Sequence, residues 1–213
     1  MLAGRIVKTS DIPSPSAQAW RRRVAKSSRW LHIYVSMVSC VIVLFFALTG
    51  VTLNHPEWFA DAESTTQVAG QLEMAWIAAG AADVSKFEVV EYLRRTHSLR
   101  GTVSDFLVDD QQASLSLQGP GYLADVVIDR ETGLYELTET RLGVVAIAND
   151  LHKGRDTGGV WKAGIDLSGA LLALISFSGL ILLYFMHRHR VTGFLLLGIG
   201  GLATYGVYLL WVP

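Results

Sequence analysis

Six histidines, His32, His55, His97, His152, His187 and His189, are the side chains of this chain best suited to chemistry. A neutral imidazole is the commonest metal ligand, and its two ring nitrogens can do different work. Five of the six stand at or near the boundary of a long apolar run, and none stands in the middle of one. His32 and His187 share one boundary level; His55 and His152 share the other. Two imidazoles at one level are the donor set that axial ligation of an iron from both sides requires. The plainer reading of each is an interfacial histidine holding a hydrogen bond. His97, among the charged neighbours of "EYLRRTHSL", reads as an ordinary surface residue. Cys40 is the single cysteine, so no internal disulfide and no Cys-x-x-Cys-His haem attachment is available. No glycine-rich nucleotide loop, flavin site or hydrolytic triad is present.

The elements that must position these histidines are apolar. A hydrocarbon core of ~30 Å is crossed by ~20 apolar residues in a helix. Residues 31–53 carry no charge and one histidine near their start; residues 164–186 are interrupted only by Asp166; residues 191–212 carry no charge at all. Three transmembrane helices follow. On the first, His32, Ser36, Ser39, Val43, Phe46 and Gly50 fall on one stripe, and on the second Gly169, Ser176 and His187 align at 100° per residue. Small residues there let a macrocycle approach, or simply another helix. His189 lies on a different face from His187, which favours His187 as the inner ligand.

Charge orients the spans. Arg5, Lys8, Arg21, Arg22, Arg23, Lys26 and Arg29 precede the first against the single acid Asp11, and Arg188 and Arg190 separate the second and third. Residues 54–160 hold 17 acids against 8 Lys and Arg. The positive-inside rule puts the N-terminus and the 187–190 turn in the cytoplasm and the middle of the chain outside. Nothing in this distribution suggests a nucleic-acid partner. The chain divides into a basic cytoplasmic segment 1–29, its first 19 residues poorly ordered and 20–29 a helix along the headgroups. The first span, 30–55, follows, ended by Asn54-His55-Pro56 because a residue before proline leaves the helical region. Next come an outer domain 56–141, an interfacial helix and loop 142–161, and spans at 162–187 and 190–212.

The outer domain reads as α+β. Ser85 starts a helix with Phe87, Val90, Tyr92 and Leu93 at apolar spacing, stopped by Gly101. Four strands follow, around Thr102–Val108, Ala113–Leu117, Val126–Ile128 and Leu134–Leu137, separated by Asp109-Asp110-Gln111, Gly119-Pro120-Gly121 and the Asp129–Gly133 turn.

"VVIDRETGLYEL" after a helix resembles the PepSY domain. "LHIYVSMVSCVIVLFFALTGVTLNHPEWF" and "DLHKGRDTGGVWKAGIDLSGALLALISFSGLILL" resemble the membrane segments of the PepSY-associated transmembrane helix family. Together they cover roughly residues 28–190. Members of that family include inner-membrane ferric-siderophore reductases carrying b-type haem on transmembrane histidines. The resemblance implies haem b, two copies, with His32, His187, His55 and His152 as axial ligands of the iron and His152 drawn inward by the 142–152 helix. It implies a bacterial inner-membrane oxidoreductase or reductase subunit with a periplasmic PepSY-like domain. Such a protein takes electrons from a cytoplasmic donor or the quinone pool and passes them to a periplasmic acceptor, a ferric chelate or a redox partner. This chain has three spans where those reductases have four. The alternative, of another class, is a non-catalytic anchor or accessory subunit of a larger membrane complex that presents its PepSY domain to a periplasmic partner.

Overall fold

The computed structural model describes residues 15–77 and 84–213; the start of the basic segment, with Arg5, Lys8 and Asp11, lies outside them. The chain forms two compact units, one made of the residues before Val43 together with Ser168–Pro213, the other of Val43–Leu167.

The first unit is helical. Helix α1 runs unbroken over Pro15–Asn54, so residues 20–29 are not a separate headgroup helix. Forty residues at 1.5 Å each make a rod of about 60 Å, and no proline or glycine pair interrupts it before Pro56. Helices α5, Gly158–Phe185, and α6, Arg190–Trp211, complete the set. All three are long and apolar enough to cross a membrane. Within this unit the packed positions of α1 recur at Val24–Ala25, Ser28, Leu31–His32, Val35–Ser36, Ser39 and Ile42. Their spacing alternates between three and four, the seam of helices packed at a shallow angle. Ser28 and Ser39 are buried there. Helix α6 is exposed along nearly its whole length, as a lipid-facing helix should be.

The second unit is built on a five-stranded antiparallel sheet in the order β1-β5-β4-β3-β2. The strands are β1 Ser64–Gln71, β2 Thr102–Val108, β3 Gln112–Gly119, β4 Tyr122–Asp129 and β5 Leu134–Arg141. Turn chemistry sets the meander. The carboxylates of Asp109 and Asp129 each accept two backbone N–H groups ahead of them, at 2.6–2.9 Å, and these bonds hold both carboxyls below the usual carboxylate range. Gly121 and Gly133 take φ of 65° and 73°, which only glycine adopts without penalty. Short helix α2, Met74–Ile77, and α3, Lys86–His97, accompany one face of the sheet. Ile77, Val89 and Leu93 close the core over Leu115, Leu117, Val126, Ile128, Tyr135 and Leu137.

Three expectations change. Strand β1 adds a fifth strand to the four the sequence predicts: "STTQVAGQ" has no apolar alternation, and it becomes a strand by pairing with β5 along its whole length. Helix α3 buries Val89, while Phe87 is 74% exposed. The helix stops at Ser98, whose φ is 55°, before Gly101 is reached.

Candidate functional site

His32 lies on the packed side of α1, where its Nδ1 meets the Ser178 hydroxyl at 3.0 Å and the Ile175 carbonyl at 3.2 Å. The Ser178 hydroxyl gives its own proton to Ile175 C=O at 2.8 Å. It can therefore only accept from the ring, and Nδ1 is the protonated nitrogen. The ring rests against Gly179, where a Cβ would stand 3.2 Å from Cε1. Glycine is what lets the imidazole in.

His152 repeats this arrangement at the other end of α1. Its carrier is helix α4, Val144–Lys153, which ends at Gly154 with φ 68°. Arg155 N–H bonds back to Asp150 C=O at 2.9 Å, the glycine-terminated closure that ends many helices. His152 Nδ1 lies 2.5 Å from the Thr49 hydroxyl, which donates to Phe45 C=O at 2.6 Å. Again the hydroxyl's proton is spent within its own helix and the ring is the donor. The imidazole edge also meets the Phe46 ring at 4.8 Å. Two neighbours on α4 extend the contact. Asn149 Oδ1 accepts from the Thr52 hydroxyl at 2.6 Å, and Asp150 Oδ2 accepts from Gly121 N–H in the β3–β4 turn at 2.9 Å. The run Asn149-Asp150-Leu151-His152 thus clasps the end of α1 with two side chains, Asn149 and His152, and the β3–β4 turn with a third, Asp150.

The two remaining histidines are not brought to these rings. His187 lies beyond the end of α5, exposed, in the turn to α6. Two contacts give the offset within the helical unit. His32 meets α5 at Ile175–Gly179, about two turns before His187. The Arg21 guanidinium, about three turns before His32 on α1, lies 6.0 Å from the Phe185 ring. His55 caps the 3-10 helix Pro56–Ala62, stacks on Trp58 at 4.1 Å and pairs with Glu57 at 3.1 Å, while His152 sits by Thr49. Gly169 and Ser176 on α5, and His187 beyond its end, are exposed; Ile175, Ser178 and Gly179 are the positions that meet His32. On α1, Val43 and Gly50 are likewise exposed, because the seam passes through Ile42 and Thr49 instead.

A b-type haem held by these histidines needs two imidazoles facing each other across the iron. In this arrangement neither proposed pair faces, and at His32 the ring is seated directly on Gly179. The contacts of His32 are with α5 at Ile175–Gly179 and those of His152 with Thr49 and Phe46, and neither set includes the other member of its proposed pair. What does fit ligation is narrower: the Nδ1–H bonds leave Nε2 of His32 and His152 as the lone-pair nitrogen, the usual way an outer hydrogen bond orients a ligating histidine. Little in the residue order marks Thr49, Ser178 and Gly179 as the partners of these rings. Hydroxyls in apolar helices commonly bond their own backbone, and only their position on the packed seam marks them.

His97 is half-buried, and its Nε2 lies 2.8 Å from the Tyr135 hydroxyl. It ties α3 to β5 and is not a free surface side chain. Burial pushes the Tyr135 hydroxyl above its ordinary range.

A family model described as PepSY_TM-like matches residues 26–213. No curated protein and no solved structure matches the chain.

Proposed function

Since the chain belongs to the PepSY_TM-like family, we propose that it is a non-catalytic membrane anchor that presents its sheet domain to a partner on the periplasmic side of the bacterial inner membrane. The observation that carries this reading is the use made of the histidines. His32 and His152 each commit Nδ1 to the hydroxyl of a facing helix, and His187 and His55 stand apart from them. Histidines used as helix clasps need no cofactor. An anchor requires a domain with its own core, firmly joined to the membrane helix, and the Asn149–His152 run supplies that joint. The basic residues in the first part of α1 and around the turn between α5 and α6, set against the acidic middle of the chain, support the orientation. A reduced-minus-oxidised spectrum of the full chain, purified from haem-replete cells, tests it. No b-type bands are expected; bands at a stoichiometry near one haem per chain would sink the anchor reading.

The unspent Nε2 of His32 and of His152 favours a second reading, a haem b electron relay toward a ferric chelate or redox partner. In that case each haem takes its other ligand from a second copy or another membrane subunit. The bands would then vanish in His32→Ala or His152→Ala and survive His97→Ala.

A further inference from the structure

We infer that the free edge of β1 is where the partner docks, and that it accepts an extended segment of another protein with lysine or arginine beside both ends. This rests on the anchor reading and names the surface that reading leaves open. Strand β1 is an outer strand of the sheet, eight residues long and exposed almost throughout. Leu72 N–H donates to Gly133 C=O at 2.8 Å, which sets the phase of the β1–β5 ladder. Residues of the Leu72 phase turn their backbone groups to β5, so Thr65, Gln67, Ala69 and Gln71 turn theirs outward. Among the described residues no backbone group bonds these four from outside.

Sheet proteins usually blunt such an edge with lysine, proline, a bulge or a very short strand. The opposite edge, β2, is blunted: its register shifts between Val103 and Asp105, and it carries an acid in mid-strand. Strand β1 has no charge, no proline and no register shift. It is left in the form that adds a strand.

Charge selects the occupant. Asp61 and Glu63 precede β1 and Glu73 follows it, all exposed, and Glu136 stands exposed on β5 opposite Ala69. The one cation in register with β1 is Arg141, opposite Ser64, and Glu139 holds it at 2.8 Å. A second copy is disfavoured by the same charges. Pairing two β1 edges antiparallel with full overlap sets Gln67 against Ala69, and so Glu63 against Glu73 at both ends, where like charges repel. A segment with a cation near each end meets complementary charge instead.

The test uses the full chain in detergent and a fluorescent peptide of alternating threonine and valine, long enough to run from Glu63 to Glu73. It carries lysine at each end, with a glutamate-ended version as control. The lysine peptide should raise anisotropy, bind several-fold more weakly at high salt, and slow amide exchange in β1. Ala69→Pro removes an outward N–H and leaves the ladder to β5 intact; it should weaken binding about tenfold without moving the thermal midpoint. Glu63→Lys with Glu73→Lys should transfer preference to the glutamate peptide. Equal binding of the two peptides, or binding indifferent to Ala69→Pro, overturns the inference. So does a concentration-dependent dimer that Ala69→Pro abolishes, since a second copy then owns the edge. A colourless preparation that ignores the lysine peptide overturns the edge alone; haem bands overturn the anchor reading whatever the peptide does.

Discussion

At the scale of single residues, the hydroxyls facing the histidines decide what the histidines do. Thr49 and Ser178 each spend their proton on a carbonyl of their own helix and accept one from an imidazole. Removing either member of such a bond leaves its partner unsatisfied, at about 1–3 kcal/mol for a buried polar group. His152→Ala and Thr49→Ala should each lower stability by that order, and the double change should cost little more than one alone. Thermal unfolding of the purified protein in one detergent measures all three, and full additivity would show that the bond does not exist. Ser39 is the contrary case. Its hydroxyl is fully buried in the α1 seam with no hydrogen-bond partner. Ser39→Ala should therefore be neutral or stabilising, and a loss above about 1 kcal/mol would reveal a partner that side chain must have.

Among the elements, β1 depends most on its neighbours. Gly70 stands opposite Tyr135, and a Cβ at position 70 would collide with the Tyr135 ring and hydroxyl. The ring is held where it is by His97. Gly70→Ala should force the ring aside and cost about 1–3 kcal/mol as an overpacked contact. Its mark should be faster amide exchange in β1 while β3 and β4 keep their protection. The turns carry a pH dependence of known sign. Backbone donors hold Asp109 and Asp129 below the ordinary carboxylate value in the folded chain. Their contribution is present above the unfolded pKa near 3.8 and is lost as pH falls through the lower folded values. Tyr135 acts at the other limit. Its folded pKa is raised by burial, so its contribution is complete below pH ~10 and declines as pH rises through the raised value. Asp129→Asn should flatten the acid limb of a stability–pH curve, and Tyr135→Phe the alkaline limb.

For the whole molecule the governing quantities are apolar length and the distribution of charge. Three helices pass the length and hydropathy needed to span a bilayer, and the basic residues cluster before residue 30, five of them in the first part of α1, and around the turn between α5 and α6. A reporter enzyme active only in the periplasm should work when fused at Asp110, in the β2–β3 turn, and fail when fused at Arg188. The reverse pattern would place the β1 edge in the cytoplasm and change the partner it can meet.

Amino-acid order alone determined the three apolar helices, the sheet turns and the family, because each depends on residues near one another in the chain. Twenty apolar residues suffice for a span, and an Asx turn closes over three or four positions. Strand β1 and the pairing of the histidines were legible in no such window. The strand exists because β5 offers it a ladder of unpaired backbone groups. Boundary level groups the histidines, but their partners depend on how far one helix slides along another. Shifting an apolar stripe by one residue changes which side chains meet by about 100° of helix. That rotation turns Gly169 and Ser176 outward and brings Ser178 and Gly179 to His32, while His187 falls beyond the end of the helix.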